Sequence, residues 1–119
     1  MKQRYFNIAS KLAKKSTSKF RLGCVIVKKN SIVSFGWNNM TKTHPRCKTY
    51  GNYIHAELHA ILNTNPEELK GSTAYVYRER KDGTKGMSRP CPVCSEALKF
   101  VGIKKVCYTT DTGFIQEVL

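Results

Sequence analysis

His55, Glu57, Cys91 and Cys94 are the residues of this chain whose types and spacing could do chemistry. One imidazole and two thiols are three ligands of the kind zinc prefers. A structural zinc site closes all four positions, whereas a catalytic one keeps one open for water. Glu57 stands two residues beyond His55, is not needed as a ligand, and is placed to move protons for that water. Cys91 and Cys94 are three positions apart, so one turn at a helix start can aim both sulfurs at one ion. The unpaired N–H groups and the dipole at such a turn favour thiolate.

The same residues admit other readings. Cys91 and Cys94 could close a structural zinc site together with His55 and His59. His55 and His59 are four apart, like the two histidines of a metalloprotease helix, but that motif is H-E-x-x-H and here Glu57 occupies the third place. A dithiol redox pair accounts for Cys91 and Cys94 and leaves His55 and Glu57 unexplained. A second, structural metal would have to be built around His44 and Cys47, where four ligands do not assemble. One catalytic Zn2+ is therefore expected. Cys24 and Cys107 fall in apolar runs and read as core residues.

The order H-x-E…P-C-x-x-C is the signature of zinc-dependent nucleobase deaminases. On His55-Ala56-Glu57 and Pro90-Cys91-Pro92-Val93-Cys94, the chain resembles the cytidine and deoxycytidylate deaminase superfamily. The resemblance implies an enzyme in which zinc is held by His55, Cys91 and Cys94. Cytosine would be hydrolysed to uracil by a zinc-bound hydroxide, with Glu57 carrying protons from the water to the ring and the leaving amine. Gly36-Trp37-Asn38 resembles the family's Gly-x-Asn at a strand end, which implies that Asn38 contacts the substrate's sugar. A turn-forming asparagine is the alternative, and Asn39 would serve equally. The resemblance also implies that Ala56 offers its backbone amide to the base. Tyr50 and Tyr53, just before the ligand helix, could wall the pocket or stack on the base, with ordinary packing as the alternative. Arg89, next to Pro90, could reach a phosphate.

These groups need elements to carry them. Tyr5, Ile8, Ala9, Leu12 and Ala13 form one face of a helix over about residues 2–15. Strands follow at Leu22–Lys28 and Ile32–Trp37, joined by a hairpin at Lys29-Asn30-Ser31. Residues 38–53 read as a long loop, of the kind that is often functional. A helix is expected from about His55 to Asn63, a short turn from Pro66, a strand at Thr73–Tyr77 and a charged connector over 78–88. Pro92 opens a helix that Gly102 ends, and strands at Lys105–Thr109 and Phe114–Val118 complete the chain.

Residues 1–119 thus read as one α/β domain. The resemblance implies a three-layer α-β-α, cytidine deaminase-like fold around a mixed five-stranded sheet in the order 2-1-3-4-5. A parallel crossover takes a dozen or more residues, and the turn at Asp111-Thr112-Gly113 is far shorter. The fifth strand should therefore run antiparallel to the fourth, as in free-cytidine deaminases, and unlike the tRNA-editing branch.

Charge bears on the substrate. The net charge is +13, and residues 1–56 hold 12 Lys and Arg and no Asp or Glu. Such a one-sided field concentrates phosphate esters and polyanions, unless it is only a well-solvated basic surface. The basic, acid-free stretch 1–20 superficially suggests a transit peptide but runs straight into a core strand. With no secretory signal and no apolar run near the ~20 residues of a spanning helix, a cytoplasmic location away from membranes is expected. The expected substrate is (deoxy)cytidine or its monophosphate. Cytosine in single-stranded DNA or RNA is the alternative, favoured by the acid-free half and its Tyr and Trp residues. A catalytically silent, basic nucleic-acid-binding module is a further one, against which an intact Glu57 argues. An uncovered sheet edge would be a reason to expect a homo-oligomer.

Overall fold

Alternation along three strands decides the architecture. In β1 (Arg21–Lys28) Cys24 and Ile26 join one buried cluster, whereas Val25 and Val27 join another. In β3 (Thr73–Glu79) Ala74 and Val76 go to the first cluster and Tyr75 to the second; in β5 (Lys105–Thr109) Val106 and Tyr108 divide from Cys107 in the same way. Successive side chains point to opposite faces, so these strands are apolar on both sides and need a helical layer on each. The computed structural model describes residues 3–16, 21–38, 56–80 and 82–119.

One layer is α1 (Gln3–Ala13), which buries Tyr5, Phe6, Ala9, Leu12 and Ala13. Phe6, 1% exposed, takes the core position that periodicity assigns to Ile8, which is only half-buried. Tyr5 and Phe6 both pack their rings on Tyr75, and the Tyr5 hydroxyl donates to the Asn30 carbonyl. The opposite face carries α2 (Ala56–Leu62), α3 (Pro66–Leu69) and α4 (Pro92–Phe100), through Ala56, Ala60, Leu69 and Leu98.

The described residues form six strands, with the path β2-β1-β3-β5-β6. The sequence order 2-1-3-4-5 is this path; the extra strand is β4 (Lys85–Gly86), a two-residue antiparallel addition to β3 within the stretch read as a charged connector. Two residues carry no periodicity to read. β1 and β2 (Ser31–Trp37) form the expected hairpin, and Lys29 and Asn30 both take positive φ, 52° and 63°. Two positive φ values in a two-residue loop give the turn whose twist matches that of the strands. β3 and β5 are parallel, and β6 (Phe114–Val118) is antiparallel to β5, as the short turn requires.

α4 ends at Gly102, whose φ of +91° suits glycine. The Ile103 N–H reaches the Leu98 carbonyl and the Gly102 N–H that of Lys99, the paired bonds of a Schellman stop. Cys24 and Cys107 are fully buried, as their apolar settings suggest. Among the described residues no helix is long and apolar enough to cross a membrane.

Candidate functional site

α2 is only seven residues long, too short to be stable by itself, and it is fastened to β2. Gly36 makes the close approach: a Cβ there would lie 2.5 Å from the Ala60 nitrogen and 2.8 Å from the Ala56 carbonyl. Three side chains then tie helix to strand. Ser34 Oγ donates to the Ala60 carbonyl at 2.5 Å, and Asn63 Nδ2 donates to the Phe35 carbonyl at 3.0 Å. His59 Nδ1 lies 3.1 Å from the Trp37 nitrogen and 3.0 Å from its carbonyl oxygen, with its ring edge-on to the indole. His59 Nδ1 is thus engaged with the backbone at the end of β2.

Glu57, in the first turn of α2, is 4% exposed. Its carboxylate pushes up the pKa of two thiols, Cys24 on β1 and Cys94 on α4, which places it between those elements. Glu57 and Cys91 both lie near enough to the Cys94 thiol to raise its pKa. Cys91 is the N-cap of α4; its sulfur accepts the Cys94 N–H at 3.4 Å, and Pro92 fills the first turn. Cys91 is exposed and Cys94 buried.

The helix start favours thiolate by about 0.3–1 kcal/mol. Burial opposes it and is the largest influence on Cys94, followed by the charges of Glu57 and Cys91; together they raise its pKa well above that of a free thiol. Burial can shift a group by several units, each worth about 1.4 kcal/mol, so it outweighs the dipole. Cys91 and Cys94 offer two sulfurs one turn apart at the start of α4, with the buried Glu57 carboxylate nearby as a proton carrier and not a ligand. Soft thiolates suit zinc, and the residues present fit that ion. Among the described residues no group of three ligands is closed into a cage. The third ligand expected from the sequence, His55, lies outside the described residues, as do Tyr50, Tyr53, His44 and Cys47.

The remaining candidates are distributed around this pair. Ala56, the first residue of α2, is buried, and the N–H groups of a helix's first turn have no intrahelical acceptor. Asn38 is buried at the end of β2; its Oδ1 accepts the Leu22 N–H at 2.9 Å, and its own N–H donates to the Leu22 carbonyl at 3.2 Å. That arrangement extends the hairpin and fixes the side chain. Arg89 is largely exposed and its Nε donates to Glu117 of β6 at 3.1 Å.

Sequence reasoning singled out Gly36 only as part of a motif, and it missed Ser88 and Thr109. Both are buried and join the middle of β3, at Val76, and the end of β5 to the segment leading into Cys91. Ser88, two residues before Pro90, offers no signal in its spacing.

Comparison with known proteins identifies the family. Residues 1–110 match the family described as the cytidine and deoxycytidylate deaminase zinc-binding region. The riboflavin biosynthesis protein RibD of Buchnera aphidicola (subspecies Baizongia pistaciae) is 34% identical over 89% of this chain and 26% of its own length. Deoxycytidylate deaminase of Schizosaccharomyces pombe is 29% identical over 90% of this chain and 36% of its own. The chain thus spans between about a quarter and a third of those curated relatives. The apo crystal structure of dCMP deaminase from the cyanophage S-TIM5 superposes with a TM-score of 0.69 and 28% identity, covering 92% of this chain and 86% of that one. With the family model matching residues 1–110, this chain belongs to the cytidine and deoxycytidylate deaminase family.

Proposed function

We propose that this chain is a zinc-dependent deaminase that hydrolyses the exocyclic amine of cytosine in (deoxy)cytidine or its monophosphate. The observation that carries the reading is the buried Glu57 carboxylate beside the Cys91–Cys94 pair. Cys91, Cys94 and His55 would hold the zinc, which when bound supplies a Lewis acid that makes a water nucleophilic near neutral pH. Glu57 would take one proton of that water and pass it to the ring nitrogen next to the attacked carbon, then take the second from the oxygen now bonded to that carbon and give it to the amine, which leaves as ammonia. Its burial keeps bulk water from competing for those protons. One carboxylate serves every transfer because each proton it accepts is the next one it donates. Ala56 supplies a backbone amide for the base. Asn38, held by Leu22, is the candidate for the sugar, and Arg89 for a phosphate.

The named activity of the cyanophage and fission-yeast relatives supports a nucleotide substrate. A single-stranded polynucleotide is the second reading, and one feature favours it. A groove between α1 and the sheet, on the face opposite α2 and α4, gathers Lys11, Lys14 and Lys85, a cationic set suited to a phosphate backbone. Association of copies is part of either reading, since β6 ends the sheet path and leaves Val118 79% exposed, with Phe100 of α4 91% exposed.

Ammonia release from zinc-loaded protein, measured on cytidine, deoxycytidine, their monophosphates and a cytosine-containing oligonucleotide, tests this. Turnover of a monomer is expected. Turnover of the oligonucleotide alone, falling steeply with salt, would select the second reading. No turnover of any, with oligonucleotide binding unchanged in Glu57→Gln, would leave a binding module.

A further inference from the structure

The ladder between β3 and β5 stops at Val76 and Tyr108. Beyond it Ser88 stands between Val76, midway along β3, and Thr109, the last residue of β5. Its hydroxyl donates to the Val76 carbonyl at 2.8 Å and accepts the Thr109 N–H at 2.7 Å, while its own N–H donates to the Thr109 carbonyl at 2.9 Å. Thr109 returns the link: its hydroxyl lies 2.6 Å from the Gly86 carbonyl and 2.8 Å from Ser88 Oγ, and accepts the Arg78 N–H at 3.2 Å. Ser88 is 1% exposed and Thr109 0%, so each group released from this set would be a buried polar atom without a partner.

From Ser88 to Cys91 only two residues intervene. Of these, Pro90 has a fixed φ and a carbonyl that accepts from Ser95 Oγ at 3.4 Å. Glu57 arrives from the other side, on a helix fastened to β2. The carboxylate and the two sulfurs are therefore held at opposite ends of one rigid path through the sheet, and Ser88 is where the sulfur half is anchored.

We propose that Ser88 and Thr109 are positioning residues for the metal pair: their paired hydroxyls set where Cys91 and Cys94 stand relative to Glu57. This rests on the reading that Cys91 and Cys94 hold zinc. The alternative is a staple that stabilises the loop and leaves the sulfurs indifferent to it.

Zinc affinity by competition with a chromophoric chelator separates the two, measured on the parent, Ser88→Ala, Thr109→Val, Thr109→Ser and Cys91→Ala, with urea unfolding of each metal-free protein alongside. Groups that orient metal ligands typically contribute 10–100-fold in affinity, so Ser88→Ala and Thr109→Val should weaken zinc by about that factor while Thr109→Ser, which keeps the hydroxyl, stays within about threefold. Their cobalt-loaded forms should show displaced absorption bands, a signature of altered ligand geometry that a lost staple would not produce. If Ser88→Ala does not fold, the Thr109 pair decides. Parent-like zinc affinity and cobalt spectra in Thr109→Val, even with its metal-free form destabilised, would overturn the proposal. Equal zinc binding by the parent and Cys91→Ala would instead overturn the ligand reading beneath it.

Discussion

A Cβ placed on Gly36 would stand 2.5 Å from the backbone nitrogen of Ala60, closer than real side chains come. The neighbour is helix backbone, so it cannot swing aside. Gly36→Ala must push α2 off β2, strain the Ser34–Ala60 and Asn63–Phe35 bonds, and carry Glu57 with it. Overpacking of this kind costs about 1–3 kcal/mol. Urea denaturation should show that loss, and ammonia release should fall more than the folded fraction does. Unchanged stability would mean that the contact is looser than described.

Glu57→Gln keeps the size of the side chain and removes its ability to take a proton. Zinc content should remain that of the parent while turnover falls by about 10²–10⁴-fold, the range for general acid–base groups. Metal analysis beside the activity assay checks both. Near-parental turnover would require another proton carrier.

Cys91 is the exposed thiol among the four described cysteines, and burial raises the pKa values of Cys24, Cys94 and Cys107. With metal removed by a chelator, iodoacetamide near pH 8 should label Cys91 before those three, and added zinc should protect it. Mass spectrometry of the digested protein gives the order. Rapid labelling of Cys24 in folded protein would contradict its burial.

Those raised values also carry a pH dependence. A thiol whose pKa is higher folded than unfolded binds more protons in the native state between the two values, so its contribution is fully present below the unfolded value and lost above it. Stability of the metal-free protein should therefore decline as pH rises past about 8.5. Cys24→Val, which keeps an apolar side chain at a fully buried position, should flatten part of that decline.

Arg89 and Glu117 form a largely exposed pair, of a kind worth about 0–1 kcal/mol. Arg89→Ala should leave the melting temperature nearly unchanged. If Arg89 turns from Glu117 to a substrate phosphate, KM for the monophosphate rises and that for the nucleoside does not. Equal effects on both would remove Arg89 from the phosphate site.

The family of this protein was legible in its sequence because the motif that marks it is set by residue type and short spacing. Cys91 and Cys94 lie one helical turn apart wherever that helix is placed, and Pro92 announces its start. The strand sequence was legible for a similar reason: β1, β3 and β5 alternate between two buried faces, and a turn as short as Asp111-Thr112-Gly113 allows only an antiparallel β6. The two-residue β4 was not, since its pairing with β3 is a property of β3's edge.

Only the tertiary structure decided what surrounds the ligands. Whether Asn38 bonds to Leu22, whether Arg89 meets Glu117, and whether His59 serves Trp37 depend on contacts between segments distant in sequence. Ser88 and Thr109 show this best: 21 positions apart and unremarkable in composition, they meet because the β3–β5 ladder stops at Val76 and Tyr108 and leaves backbone groups that must be satisfied.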